Sequence, residues 1–172
     1  NGFFDAVDLI GLNYKPHHYK LFHEKYPDKI FYGSETASCV STRGEYKLPA
    51  AVESPMNKHD DLTLSDYALS APHWACYPDR ELTEQLDDAF IFGEFVWTGF
   101  DYLGEPTPYY TEWPARSSYF GILDTAGLPK SRYYLYKSLW SRDKVLFIMP
   151  HWNFEGHEGE NIPVHILTNY DR

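Results

Sequence analysis

The sequence predicts an α/β fold with a parallel sheet, followed by a smaller antiparallel β element. Three runs of apolar, β-branched and aromatic residues, at 6–14, 29–35 and 89–97, are each too short for a helix. Their apolar residues follow one another without the strict alternation of a half-exposed strand, which is typical of strands covered on both faces. We therefore expect three buried parallel strands joined by crossover connections.

The segments between and after these runs predict helices and a long loop. Residues 17–26 can place their apolar side chains on one stripe of a short helix, which the Pro-Asp pair at 27–28 ends. Residues 41–88 carry four prolines and many small polar residues, so we expect mostly loop. After a turn at 126–129, the aromatic-rich residues 131–140 predict a closing helix.

Residues 143–172 differ in character from residues 1–142. Two apolar runs, at 145–149 and 162–168, flank a polar turn rich in Gly and Glu and predict an antiparallel pair of strands. Two strands are only marginally stable by themselves. This pair is therefore expected either to pack on the preceding domain or to belong to an incomplete sandwich.

Composition excludes several classes of protein. Fifteen Lys and Arg against twenty-five Asp and Glu give a formal net charge of −10, which disfavours nucleic acid and anionic membrane surfaces as partners. Aromatic residues make up 18% of the chain and hydrophobic residues 43%, which excludes intrinsic disorder. Two cysteines, Cys39 and Cys76, are too few for a disulfide scaffold. No apolar run approaches the ~20 residues needed to cross a bilayer.

Polar and aromatic residues close each predicted strand. Asn13 and Tyr14 end the first, Ser34-Glu35-Thr36 ends the second, and Trp97 ends the third, with Asp101 just beyond. In parallel α/β barrels the carboxyl ends of the strands form the active-site face. A carboxylate beside aromatic rings is typical of a sugar site. Each residue alone is equally compatible with an ordinary strand end, and their coincidence at three strands favours a site.

Four stretches resemble glycoside hydrolase family 2, especially its multidomain β-galactosidases of Bacteroidetes type. FYGSETAS at 31–38 resembles the nucleophile region of that family, and GEFVWTGFDYLG at 93–104 resembles its last barrel strand. DLIGLNY at 8–14 and SYFGILD at 118–124 extend the resemblance over essentially the whole chain. The resemblance implies strands six to eight of a (β/α)8 TIM barrel in residues 1–142, followed by the start of an immunoglobulin-like β-sandwich.

The resemblance also implies a retaining hydrolase of terminal β-D-galactosides. Glu35 matches the nucleophile that forms the covalent glycosyl-enzyme, Tyr14 matches the tyrosine that orients this carboxylate, and Trp97 matches a wall of the sugar site. Glu105 is a weaker candidate for sugar contacts. The remaining candidate substrate-binding residues are Asn13, Asp101 and His17.

The sequence offers no matching residue for the general acid/base that this mechanism requires. A retaining glycosidase needs a second carboxyl group, the general acid/base, about 5 to 5.5 Å from the nucleophile. In the family this glutamate follows an asparagine, and no Asn-Glu pair occurs in the sequence. Glu94 lies inside its predicted strand and is expected to be a structural carboxylate. We therefore expect the acid/base and strands one to five upstream of Asn1, and no turnover by this chain alone.

Three alternatives stay open at this point. The specificity can be that of another family 2 enzyme, either β-mannosidase or, less well matched, β-glucuronidase, since the Asn-x-Lys of glucuronidases is missing before Gly121. The chain can also be a non-catalytic carbohydrate-binding module, for which aromatic platforms and an acidic surface would serve equally well. In that case Glu35 would be dispensable.

The expected partners are a glycoside or oligosaccharide and the upstream remainder of the barrel. The resemblance is compatible with a homo-oligomer and favours a periplasmic or secreted protein. No metal ligand is assigned, because His17, His18 and His23 match no zinc-binding spacing. The resemblance allows a divalent cation, whereas Phe120 stands where enterobacterial relatives place an asparagine near a monovalent cation.

Overall fold

The first of two sheets consists of the three predicted parallel strands. A computed structural model describes residues 2–53 and 57–171. In it, β1 (Leu9–Asn13), β2 (Ile30–Thr36) and β3 (Ile91–Val96) form a parallel sheet in the order β1-β2-β3. The expected strands and their parallel direction are therefore confirmed.

Three helices accompany this sheet. Helix α1 (Tyr19–Lys25) connects β1 to β2, and α3 (Ser131–Trp140) follows β3. Both were expected from the sequence. None of the helices in the described ranges has the length and apolar character needed to span a membrane.

Residues 41–88 are mostly loop, as expected, but their last part forms a third helix, α2 (Pro78–Asp87), that the sequence did not predict. Pro78 occupies the first turn together with Asp79 and Glu81, which are favoured start signals because acidic side chains interact well with the helix N-terminus. The buried side of this helix includes the carboxylate of Glu81 as well as Leu82. A charged residue on the buried side weakens the apolar periodicity by which helices are recognised in a sequence.

One face of the parallel sheet is covered and the other is exposed. Ile10 and Leu12 of β1, Phe31 of β2 and Ile91 of β3 are buried together with Tyr19 of α1. On the opposite face, several large apolar side chains of the same strands are exposed. They are Leu9, Ile30, Phe92 and Phe95. The apolar runs predicted that both faces of the sheet are covered. Within the described residues, only one face is covered.

The second sheet packs on α3. Strands β4 (Leu146–Met149) and β5 (His165–Thr168) pair in antiparallel fashion, which confirms the expected pair. Phe147 of β4 stacks on Tyr134 of α3 with ring centroids 3.9 Å apart. On the other face, Leu146, Ile148 and Ile166 are exposed. This sheet thus has one packed and one uncovered apolar face.

Two carboxyl groups lie between the parallel sheet and α2. Glu81 is 0% exposed and accepts a hydrogen bond of 3.2 Å from the Tyr19 hydroxyl. Burial, reinforced by the nearby charge of Glu94, raises the pKa of Glu81 from 4.5 to about 7. Glu94 accepts a hydrogen bond of 2.5 Å from the Thr36 hydroxyl, and burial raises its pKa as well. Glu94 therefore faces the helix layer, as expected for a structural carboxylate.

The raised pKa of Glu81 predicts a pH-dependent effect of Glu81→Gln. Below 4.5 the carboxyl group is protonated in both the folded and the unfolded chain. As pH rises towards about 7, the unfolded chain loses this proton first, so the folded state is progressively destabilised. We expect Glu81→Gln to raise the melting temperature at about pH 8. The corresponding gain in the free energy of unfolding is roughly 1–3 kcal/mol, and it shrinks towards about pH 5.

Thermal denaturation of the full-length protein at the two pH values measures this difference. Asp87→Asn is the matched control, since Asp87 is an exposed carboxylate on the same helix. A gain from Glu81→Gln that is equal at both pH values would contradict the assignment of a buried, protonated carboxyl group.

Candidate active site

The carboxyl edge of the parallel sheet brings four of the sequence-predicted residues together. The register of β1 and β2 sets Asn13 opposite Glu35. The backbone N–H of Tyr14 donates to the carbonyl oxygen of Glu35 at 3.1 Å, and that of Trp97 donates to Thr36 at 2.9 Å. Glu35 therefore lies at the end of the central strand, between Tyr14 on one side and Trp97 on the other.

A chain of two hydrogen bonds orients the Glu35 carboxylate. The side-chain amide of Asn13 donates to Glu35 Oε2 at 3.1 Å, and the hydroxyl of Ser34 donates to Asn13 Oδ1 at 2.6 Å. The Ser34 bond thereby directs the Asn13 NH2 group towards the carboxylate. Space for it comes from Gly11, where an added Cβ would lie 2.7 Å from the Cβ of Ser34. Asn13 thus holds Glu35 by a charge-assisted bond, which the sequence pattern did not indicate.

Tyr14 is held from several sides. Its backbone is in the left-handed region at φ 54°, and the Cys76 thiol lies 3.6 Å from its carbonyl oxygen. Its hydroxyl is 2.5 Å from the Ser38 hydroxyl, and its ring packs edge-on against Trp74 at 5.0 Å. Burial raises the pKa of Tyr14, and the charge of Glu35 raises it further. The phenol therefore keeps its proton at neutral pH and is available as a hydrogen-bond donor.

An aromatic and acidic group lies on the β3 side of Glu35. The ring of Trp97 meets that of Tyr102 edge-on at 6.0 Å, and the Tyr102 hydroxyl donates to Glu105. Burial raises the pKa of Tyr102, and so do the hydrogen bond to Glu105 and the charges of Glu105 and Glu35. Both carboxylates therefore act on the same phenol, so Glu105 belongs to the surroundings of Glu35.

The two other predicted residues have different surroundings. Asp101 forms an ion pair of 2.7 Å with Lys130, and its second oxygen accepts the backbone N–H of Gly121 at 2.7 Å. Both oxygens are thus used within the chain, and we leave Asp101 out of the proposed substrate contacts. His17 is exposed on a short 3-10 helix after β1, where its ring packs on His18 at 4.2 Å. Its contact with a substrate stays a prediction.

The three histidines near β1 lie in two separate places. The ring of His23 stacks on Phe90 at 3.9 Å, away from the His17 and His18 pair. Across residues 2–53 and 57–171, no group of three or more His, Cys, Asp or Glu side chains is arranged to hold a metal ion.

Sequence reasoning missed Ser38 and Tyr102, and it named Ser34 only as part of a polar strand end. Ser34 and Ser38 lie within three residues of Glu35, and Tyr102 lies next to Asp101. The available signal was their proximity to predicted strand ends. Serine and tyrosine are common at such positions, so the residue types alone did not single them out.

The chain is similar to known proteins in both sequence and structure. No protein-family model matches the chain. The chain is 43% identical over 156 residues to the beta-galactosidase BoGH2A of Bacteroides ovatus, in an alignment covering 87% of this chain and 18% of that protein. A crystal structure of a beta-glycosidase from Bacteroides vulgatus superposes with a TM-score of 0.81 and 27% identity, covering 95% of this chain and 24% of that one.

A glycosyl hydrolase family 2 member from Bacteroides cellulosilyticus shares the fold, with a TM-score of 0.55 and 23% identity over 97% of this chain and 18% of that one. The chain thus spans between 18% and 24% of the length of these relatives. These structures share the α/β fold of the chain, and in this chain the carboxyl edge of the sheet carries a carboxylate and aromatic rings. The chain belongs to glycoside hydrolase family 2 and is β-galactosidase-like, which confirms the resemblance seen in the sequence.

Proposed function

We propose that the chain is the C-terminal part of a family 2 catalytic barrel. Residues 1–142 would supply strands six to eight, and residues 143–172 would begin an immunoglobulin-like β-sandwich. The parallel order β1-β2-β3 supports the barrel assignment, because neighbouring strands of a (β/α)8 barrel are parallel and follow chain order. The exposed apolar faces of both sheets support further strands against each of them.

The activity we propose is hydrolysis of terminal β-D-galactosides with retention of configuration. The observation that carries this proposal is the hydrogen-bonded carboxylate of Glu35 at the carboxyl end of the central strand, 3.1 Å from the Asn13 amide. A carboxylate oxygen of Glu35 would attack the anomeric carbon as the bond to the leaving-group oxygen breaks. Water would then hydrolyse the glycosyl ester and restore the free carboxylate.

Asn13 and Tyr14 would serve this step by directing one carboxylate oxygen. Asn13 donates such a bond at 3.1 Å, and Tyr14 would donate a second, so that the nucleophile is held in one orientation and the entropy cost of reaching the transition state falls. Trp97 would offer an apolar ring to the C–H face of the sugar. The proton for the leaving group would come from an acid/base glutamate in the remainder of the barrel, which is why we propose no turnover by residues 1–172 alone.

The name of one relative supports galactoside specificity, and charge disfavours one of the alternatives. The 43% identical relative is named a beta-galactosidase. Glu105 adds a second negative charge near Glu35, which would repel the carboxylate of a glucuronide and tolerate a neutral sugar. This disfavours the β-glucuronidase alternative. β-Mannosidase remains the alternative neutral specificity, since charge does not separate it from galactoside hydrolysis.

A carbohydrate-binding module is the second candidate class, and Glu35→Gln separates it from the enzyme. Removing the nucleophile should lower kcat for an aryl β-galactoside by at least about a thousandfold in the full-length protein. Glu24→Gln, an exposed glutamate on α1, is the control and should retain full activity. Full activity of Glu35→Gln would overturn the nucleophile assignment.

Glu105→Gln tests the proposed role of charge in specificity. Removing this charge should reduce the preference for an aryl β-galactoside over the matching glucuronide, measured as the ratio of kcat/KM values, by about fivefold. That factor corresponds to a like-charge interaction of about 1 kcal/mol.

Glu112→Gln is the matched control, because Glu112 lies further along the same loop in an exposed ion pair with Lys58. A preference that stays constant or increases in Glu105→Gln would show that Glu105 does not select against uronides.

A further inference from the structure

The hydroxyl of Ser38 is placed directly behind Tyr14. Ser38 is 0% exposed and lies three residues beyond Glu35, in the segment that follows β2. Its oxygen is 2.5 Å from the Tyr14 hydroxyl, so a side-chain bond joins the ends of two neighbouring strands. No role for Ser38 in the reaction follows from the proposed mechanism as described so far.

We propose that Ser38 is a positioning residue that acts through Tyr14, donating its hydroxyl proton to the phenol oxygen while Tyr14 donates its own proton to Glu35. This inference rests on the proposed role of Glu35 as nucleophile. A phenol has one proton to donate and lone pairs to accept with. If Tyr14 donates to Glu35, the bond to Ser38 must run from Ser38 to Tyr14.

The surroundings of Tyr14 allow this direction. Either hydroxyl can donate across the 2.5 Å between Ser38 and Tyr14, and the Tyr14 backbone is bonded to Glu35 at the carboxyl edge of the sheet. Two hydrogen bonds in series polarise one another, so the first strengthens the second in a buried setting. Ser38 would thereby make Tyr14 a better donor to the nucleophile.

The backbone around Ser38 is held firmly enough to aim this hydroxyl. The preceding residue, Ala37, is 0% exposed and has a positive φ of 46°. Its carbonyl oxygen accepts a hydrogen bond from the guanidinium of Arg132, which also donates to the carbonyl of Phe120. Arg132 is itself 2% exposed. A buried cation thus ties the segment after β2 to the loop before α3.

A double-mutant cycle in the full-length protein tests the inference. Ser38→Ala should lower kcat/KM for an aryl β-galactoside by about three- to tenfold, the effect of losing one hydrogen bond. In a Tyr14→Phe background the same substitution should change kcat/KM by less than about twofold, because the hydroxyl through which Ser38 acts is already gone.

Ser70→Ala is the matched control. Ser70 is another fully buried serine, and within the described part of the chain its hydroxyl has no hydrogen-bond partner. This variant should leave kcat/KM unchanged in both backgrounds. If too little folded Ser38→Ala is recovered, Ser38→Cys, which keeps the side chain's shape with a weaker donor, is taken through the same cycle with the same two expectations.

Two results would overturn the positioning role. One is that the Ser38 substitution lowers kcat/KM by the same factor in the Tyr14 and the Tyr14→Phe backgrounds, which indicates a merely structural effect. The other is no loss in either background. Glu35→Gln separates this failure from that of the proposed function. An active Glu35→Gln variant would show that Glu35 is not the nucleophile. An inactive Glu35→Gln variant together with an additive cycle would overturn only the role of Ser38.

Discussion

The parallel pairing of β1 with β2 is the constraint on which the site depends. It sets Asn13 opposite Glu35, and the backbone bond from Tyr14 to the Glu35 carbonyl continues the pairing beyond the last ladder position. A shift of one residue would move every side chain of a strand to the other face of the sheet. Glu35 would then point into the helix layer, where Glu81 already lies with a raised pKa. The pairing register of β1 and β2 therefore determines on which face of the sheet the Glu35 carboxylate lies.

Buried polar contacts hold the loops that complete this edge. Lys130 is 1% exposed and bonds to Asp101 and to the carbonyl oxygen of Ser41, and Arg132 is bonded to the carbonyl oxygens of Ala37 and Phe120. Each cation joins the loop after β2 to the loop after β3. Removing one partner of such a contact leaves a buried polar group unsatisfied, so these loops are fixed together.

The sequence predicted the strands well because their apolar runs are short and bounded, and it predicted the convergence of polar strand ends because parallel strands share a direction. It missed α2, whose buried side carries the ionisable Glu81. It also did not indicate that Asp101 pairs with Lys130, twenty-nine residues away. The contact between Ser38 and Tyr14 depends on left-handed backbone at Tyr14 and Ala37, and neither residue type favours that conformation. The residue pattern therefore could not predict long-range pairs or unusual backbone angles.

The proposed function depends on a covalent bond between Glu35 and the sugar. Its most direct test is mass spectrometry of the full-length protein after incubation with a fluorinated β-galactoside that forms the glycosyl-enzyme quickly and releases it slowly. We predict a single labelled peptide that carries the sugar on Glu35. Label on a different carboxylate, or hydrolysis of β-galactosides without any trapped glycosyl-enzyme, would contradict the account.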